Sequence, residues 1–123
     1  MTKEESRALT DIVVKALNEK QAQDVKVIEI SEISPLGDYF VIANGSNANQ
    51  IQALVENVEE KGEKAGFQID HVEGHRNANW TLIDFKGVIV HVFDEEAREH
   101  YDLERLWRDG SDVSAEFKEE ENH

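Results

Sequence analysis

Two strand-like runs joined by a two-residue link constrain the fold of this chain more than any other feature. Trp80–Phe85 and Val88–Phe93 flank Lys86-Gly87. Apolar-rich runs on either side of such a link, with glycine in second place, are typical of a β-hairpin. Pairing the runs about this link sets Ile83 opposite Val90, and the alternation of side chains extends along both strands. The sequence therefore predicts two neighbouring antiparallel strands here.

The two faces of the predicted hairpin differ in chemistry. The first face is almost purely apolar and consists of Thr81, Ile83, Phe85, Val88, Val90 and Val92. The second face mixes aromatic, acidic and imidazole groups and consists of Trp80, Leu82, Asp84, Ile89, His91 and Phe93. We expect helices on the first face, and the partly wet second face suits contact with a partner. It equally suits a minor core in which His91 is hydrogen-bonded to a neighbour such as Asp84, and the sequence leaves both interpretations open.

Helix signals occur at three places in the chain. Thr2 and Glu5 form a capping box ahead of an apolar pattern with helical spacing. A second helix is predicted between Asn47, a favourable N-cap, and Gly66, a favourable stop. Three acids at 94–96 mark the start of a last helix, because the helix dipole favours negative charge there.

Strand signals outside the hairpin complete the predicted fold. Residues 25–30 and 38–43 are rich in β-branched and aromatic side chains, and a short strand is expected within 67–73. The chain has 123 residues and is 39% apolar, which suffices for a single core. We therefore predict an α+β fold, a mixed β-sheet of about five strands with helices packed on it.

The charge balance limits the kinds of partner. Asp+Glu number 27 and Lys+Arg 13, which gives a formal net charge of −14. Nucleic-acid binding depends mostly on Lys and Arg, so direct binding to nucleic acid is not expected. An acidic surface favours rapid capture of a basic protein, although it also serves solubility alone. There is no membrane-length apolar run and no secretion-type N-terminus, so we expect a cytoplasmic protein without membrane contact.

The end of the chain is strongly acidic. Residues 109–123 carry six acidic side chains and a single lysine. A low content of apolar residues together with like charge predicts a disordered, solvated segment. We therefore expect one folded domain at 1–108, followed by an acidic tail at 109–123.

Motifs for catalysis and metal binding are incomplete. The order His71-Val72-Glu73-Gly74-His75 differs from the zincin order, and its glycine breaks a helix. Gly45-Ser46 follows a strand and opens a helix, where backbone N–H groups can hold phosphate. Nucleotidyl transfer also needs a close carboxylate pair for metal ions, and this segment lacks one. With no cysteine in the chain, thiol chemistry is excluded. We predict no catalytic residue, no metal site and no cofactor.

Several separated blocks resemble the ribosomal silencing factor family, also called Iojap-like. The blocks are Asp38–Gly45, Glu73-Gly74, Asn79-Trp80, Leu82–Asp84, Val90–Phe93 and the pattern from Arg98 through Tyr101, Leu103, Glu104 and Leu106 to Trp107. The resemblance implies a non-enzymatic factor that binds the large ribosomal subunit on its ribosomal protein fourteen and obstructs joining of the small subunit when nutrients are scarce. It also implies a nucleotidyltransferase-like core without catalytic metal ligands.

The expected partner-binding residues lie around Trp80, which we take as the aromatic anchor. Asp84 and His91 share its strand face, and Glu95 and Arg98 align on the adjoining helix. The Asp-Tyr pair of the family block adds two more positions. The predicted set is Asp38, Tyr39, Trp80, Asp84, His91, Glu95, Arg98, Tyr101 and Glu104.

Two other functions compete with a silencing factor. A nucleotidyltransferase-like enzyme would use Gly45-Ser46 for phosphate and would bind nucleotide with Mg²⁺. A general acidic adaptor would bind many basic partners weakly and lose them in salt. For each acid of the predicted set, a solvated charge or an ion pair within the chain remains the alternative to partner contact. An exposed Trp80 face could also make the free protein a homodimer.

Overall fold

The computed structural model describes residues 1–74, 79–100 and 108–117 of the chain. Three helices, six strands and a 3₁₀ turn have bounds within these ranges, and Arg108 and Asp109 are also helical. Their bounds are α1 Lys3–Glu19, β1 Gln23–Glu29, β2 Tyr39–Gly45, α2 Ala48–Lys64, β3 His71–Glu73, β4 Trp80–Asp84, β5 Val88–Asp94, α3 Glu95–His100, β6 Ser111–Asp112 and the 3₁₀ turn Ser114–Glu116.

The strands form a mixed six-stranded sheet in the order β3-β4-β5-β2-β1-β6. The central pair, β2 and β5, is parallel, and the other neighbours are antiparallel. The predicted α+β fold with a mixed sheet is confirmed, and the strand beyond the expected five comes from the segment predicted as a tail. The nucleotidyltransferase-like character of the core stays a prediction.

Both long helices begin at the predicted caps. The Thr2 side chain accepts a hydrogen bond from the backbone N–H of Glu5, and the Glu5 carboxylate accepts from Thr2 in return. At α2 the Asn47 side chain accepts from the backbone N–H of Gln50. Such caps satisfy N–H groups that have no partner inside the helix. No helix in the described ranges is long and apolar enough to cross a membrane.

The hairpin of β4 and β5 has the predicted register. Ile83 faces Val90 and Thr81 faces Val92 across the strands. Lys86 adopts the left-handed backbone conformation in the turn, with φ of 80°. Gly87 has a different role, because helix α1 packs closely against it. A Cβ at Gly87 would collide with the side-chain oxygen of Ser6 on α1. The turn glycine therefore lets the first helix pack against the hairpin.

The sheet separates two clusters of buried side chains. Helices α1 and α2 cover one face, where Leu9, Leu17 and Leu54 pack against valines of β2 and β5. The opposite face carries a smaller cluster in which Phe93 and Ala97 contact three buried isoleucines. The predicted division into an apolar face under helices and a second, partly exposed face is confirmed.

The prediction of a disordered tail is wrong for the described part of the segment. Strand β6 pairs with β1, and the Ser114 hydroxyl accepts a hydrogen bond from the backbone N–H of Val27. Phe117 is 4% exposed, contacts the ring of Tyr39 edge-on, and lies under the guanidinium of Arg7. A shortage of apolar residues predicts disorder, but a single well-placed aromatic can anchor a short segment. Residues 118–123 lie outside the described residues.

Phe117→Ala tests this anchor. Truncating a buried aromatic removes its burial and leaves a cavity, so we expect the free energy of unfolding to fall by about 3 kcal/mol. Urea denaturation followed by circular dichroism measures the change. Glu116→Gln is the matched control, because it removes only an exposed ion pair with Arg7 and should change little. Equal stability of the Phe117→Ala variant and the wild type would contradict the docked segment.

Candidate protein-binding face around Trp80

The sheet face opposite α1 and α2 carries a group of ring and aliphatic side chains. We call it the aromatic face and define it as Phe40, Trp80, Leu82, Ile89, His91 and Phe93. Ile89 and Phe93 are buried, whereas the other four are partly exposed. The described α3 packs beside it through Ala97. A half-exposed aromatic surface that continues into a small core is suited to protein contact.

Trp80 and His91 form the centre of the aromatic face. The indole Nε1–H of Trp80 donates to Nδ1 of His91 at 3.3 Å. The two rings are stacked with centroids 6.4 Å apart. Trp80 pairs with Phe93 across the strands, which puts His91 on the diagonal within reach of a long aromatic side chain. The expectation that Trp80 and His91 share one surface is confirmed.

His91 is a largely buried, neutral imidazole. Burial lowers its pKa from the usual 6.5 to about 4, because the charged form loses its hydration. Since Nδ1 accepts from Trp80, the single ring proton of the neutral form is on Nε2. Among the described residues, Nε2 is buried and has no hydrogen-bond partner.

Asp84 lies at the other end of β4 and faces a different group. Its carboxylate accepts from the backbone N–H of Lys86 at 2.6 Å and lies 3.6 Å from Nδ1 of His71 across the strands. His71 also contacts Asp70 at 3.3 Å and Glu73 at 3.0 Å. These hydrogen bonds, to Asp70 first and then to Glu73, raise the pKa of His71. The structure therefore does not bring Asp84 to Trp80, and His91 bonds to the indole rather than to Asp84.

A group of side chains of the kind that can bind a metal ion lies at the Asp84 end of the sheet. One ligand atom each from Asp70, His71 and Asp84 lies within 4.8 Å of the other two. Lys86 lies 3.6 Å from Asp70, so the cluster already has a cation beside it. The sequence motif tested for a metal was His71 with His75, which was rejected because its order differs from that of zincins, and His75 is outside the described residues. Cross-strand partners are far apart in sequence, so spacing along one segment does not reveal them.

Arg98 turns into the protein. Its side chain is 9% exposed, donates to the side-chain oxygen of Asn44, and lies 3.3 Å from the carboxylate of Asp24. Burial lowers the pKa of its guanidinium, and Asp24 opposes that shift. Arg98 thus ties α3 to the ends of β1 and β2, which supports the alternative of an ion pair within the chain.

The family block at the start of β2 contributes a different residue from the one expected. Tyr39 is 2% exposed and points to the helix-covered face, where it contacts Phe117. The prediction that Tyr39 joins the partner-binding surface is therefore wrong for this structure. Its neighbour Phe40 lies on the aromatic face, edge-on to His91 at 5.0 Å. Asp38 is partly buried, and its backbone N–H donates to Gly87 at 2.7 Å.

The remaining predicted positions lie on or beyond α3. Glu95 is exposed at the start of the helix, at the same end of the sheet as Trp80 and Phe93. Tyr101 and Glu104 lie outside the described residues. Trp80, His91 and Glu95 are therefore the predicted residues that the structure brings to one end of the aromatic face.

The Gly45-Ser46 turn is occupied by the chain itself. The side-chain oxygen of Gln50 accepts from the backbone N–H of Ser46 at 2.6 Å and from its hydroxyl at 2.8 Å. The amide nitrogen of Gln50 in turn donates to the carbonyls of Lys20 and Gln21. A Cβ at Gly45 would meet the Ile51 side chain at 2.8 Å. The turn thus packs closely and holds α2 against the end of α1.

The fold is that of a small α+β domain with one mixed sheet, and comparison with known proteins identifies its family. The family model described as "Ribosomal silencing factor during starvation" matches residues 3–123. The chain belongs to this ribosomal silencing factor family, which confirms the resemblance noted from the sequence blocks.

Individual relatives agree with the family assignment. The chain is 32% identical over 111 residues to ribosomal silencing factor RsfS of Bacillus subtilis, covering 90% of this chain and 94% of that protein. It is 34% identical over 111 residues to RsfS of Halalkalibacterium halodurans, covering 90% and 95%. A crystal structure of a protein from Chromobacterium violaceum superposes with a TM-score of 0.80 at 28% identity, covering 95% of this chain and 98% of that one.

His71 on β3 and His91 on β5 lie on the two sides of β4, and their pKa values should depart from 6.5 in opposite directions. We expect His91 to stay neutral until the pH approaches about 4. The pKa of His71 should lie above the usual 6.5. Between pH 6.5 and 4 the unfolded chain binds a proton at His91 that the folded chain does not, so acidification through this range lowers stability by at most about 3 kcal/mol. Two-dimensional NMR of the imidazole carbon-bound protons measures both pKa values. Titration of His91 near 6.5 would contradict the buried, neutral assignment.

Proposed function

We propose that the protein binds the large ribosomal subunit in the cytoplasm and thereby blocks its association with the small subunit, which represses translation when nutrients are scarce. The aromatic face is the observation that carries the proposal. It is a partly exposed set of rings on the sheet face opposite α1 and α2. The names of the relatives support a role at the ribosome, since they are called ribosomal silencing factors.

Trp80 is the anchor of the proposed interface. It is partly exposed and packs at its base against the buried cluster of Phe93 and Ala97. Large aromatic side chains that are held rigidly and surrounded by polar groups contribute most of the binding energy of compact interfaces. Leu82 lies two positions further along β4 on the same face. Phe40 on β2 contacts His91, and both side chains extend the apolar surface.

The proposed partner on the subunit is its ribosomal protein fourteen. Ribosomal proteins are basic as a class, and this chain has a formal net charge of −14. Opposite net charges speed the encounter and favour the correct orientation more than they add affinity. Exposed Glu95 beside the aromatic face gives this attraction a local component.

A non-enzymatic mode of action fits the residues around Gly45-Ser46. An enzyme acting on nucleotides would need that turn to be open for phosphate, whereas Gln50 occupies its donors. A silencing factor that acts sterically needs only a surface that fits its partner.

The aromatic face would also pair two free copies of the protein. Such a homodimer would compete with the subunit for the same residues.

Trp80→Ala should weaken binding to the large subunit by about 30-fold or more, because it removes the anchor of the interface. Co-sedimentation with isolated large and small subunits measures binding, and mixing both subunits measures the fraction that joins. The wild type should bind large subunits selectively and reduce joining. Circular dichroism of the variant checks that the fold is retained. Wild-type protein that binds neither subunit would refute the proposal, and a folded variant that binds normally would refute the anchor.

Charge reversal at the rim tests the electrostatic part of the proposal. Glu95→Lys should slow association with large subunits several-fold at low salt, and the difference should shrink as salt screens the charges. Glu60→Lys is the matched control, because Glu60 is exposed on α2, across the sheet from the aromatic face, and the change in net charge is equal. Association rates are measured at two salt concentrations. Equal slowing by both variants would mean that only the overall charge counts.

A further inference from the structure

The indole of Trp80 is held by a specific acceptor. Its Nε1–H donates to Nδ1 of His91 at 3.3 Å, between neighbouring strands of the sheet. We propose that His91 is a positioning residue, whose ring and unprotonated Nδ1 fix Trp80 in the orientation that meets the partner. This inference rests on the proposed function for its consequence in binding.

The His91 ring is itself fixed on three sides. Phe93 stacks on it at 6.0 Å with 9° between the planes, Trp80 stacks at 6.4 Å, and Phe40 meets it edge-on at 5.0 Å. Close packing on several sides leaves a side chain few rotamers. The position of the acceptor nitrogen on the sheet is therefore fixed before any partner binds. The hydrogen bond to this nitrogen in turn restricts the orientation of the Trp80 indole.

The hydrogen bond requires one particular form of the imidazole. A protonated ring would carry hydrogens on both nitrogens and could not accept from the indole. The burial of His91 disfavours that charged form, as its lowered pKa indicates. The neutral ring with its proton on Nε2 is thus the form that both the site and the bond to Trp80 favour.

The same contact determines what Trp80 offers to a partner. The polar N–H of the indole points to His91, so the exposed part of the side chain is apolar. We therefore assign an apolar recess, lined by aliphatic or aromatic side chains, as the complement of Trp80 on the partner. An indole that lost its acceptor would carry an unpaired donor at the edge of the interface, which costs free energy when the site is desolvated.

Two substitutions of His91 separate the acceptor from the ring. His91→Phe keeps an aromatic ring but removes the acceptor, whereas His91→Asn keeps an acceptor near the position of Nδ1 but removes the ring. Loss of one neutral hydrogen bond predicts about 2- to 10-fold weaker binding of large subunits by His91→Phe. His91→Asn should retain more of the affinity if the acceptor is decisive.

The indole proton reports the contact independently of any ribosome. In the free wild-type protein, the Nε1–H resonance of Trp80 should exchange slowly with solvent, and it is assigned by its disappearance in Trp80→Phe. His91→Phe should accelerate this exchange, and His91→Asn should restore slow exchange. If His91 had a purely structural role, both variants would lose stability. The indole exchange would then not be slower in His91→Asn, which keeps an acceptor, than in His91→Phe, which lacks one.

A double-mutant cycle closes the test. Trp80→Phe and His91→Phe each remove the same hydrogen bond, so the double variant should bind more tightly than the product of the two single losses predicts. Additive losses in folded variants, or unchanged indole exchange in His91→Phe, would overturn the positioning role. Wild-type protein that binds no subunit while the exchange pattern holds would refute the proposed function and retain the Trp80–His91 contact.

Discussion

The parallel pairing of β2 with β5 is the constraint on which the rest of the structure depends. Parallel strands are usually buried on both faces, so their side chains are expected to be apolar on both. Both strands follow this rule almost throughout, with Val41 beside Val90 on the helix-covered face. His91 is the polar exception in the interior of β5, beside Ile42. Its burial is tolerated because the imidazole is neutral and accepts the indole hydrogen bond.

The sequence predicted the elements better than the side of the sheet on which some residues lie. The hairpin register was predictable because β4 alternates strictly, so Trp80 and Ile83 could be assigned to opposite faces. In β2 apolar residues run continuously, and a shift of one position exchanges the faces. The choice of Tyr39 over Phe40 therefore could not be made from the pattern. Only the pairing of Phe40 with Ile89 in the sheet decides it.

Contacts between distant segments account for the other differences. The pairing of Asp84 with His71 depends on the register of β3 against β4, and no spacing within one segment encodes it. Composition predicted disorder after residue 108 because acidic residues dominate there. Phe117 nevertheless fills space beside Tyr39, and β6 covers the edge of β1. Average composition describes how a segment behaves alone, whereas docking depends on the surface that the rest of the fold presents.

His91 also indicates what the aromatic face is for. An aliphatic side chain at this position would pack in the cluster without the desolvation of an imidazole or a buried Nε2 that lacks a partner among the described residues. It would leave the Trp80 N–H without its acceptor, and the indole would lose one of the contacts that orient it. Proteins retain such locally unfavourable groups mainly where function requires them. The position of this exception, beside the partly exposed Trp80, is therefore a physical argument that this face, rather than the helix-covered one, is where the protein meets its partner.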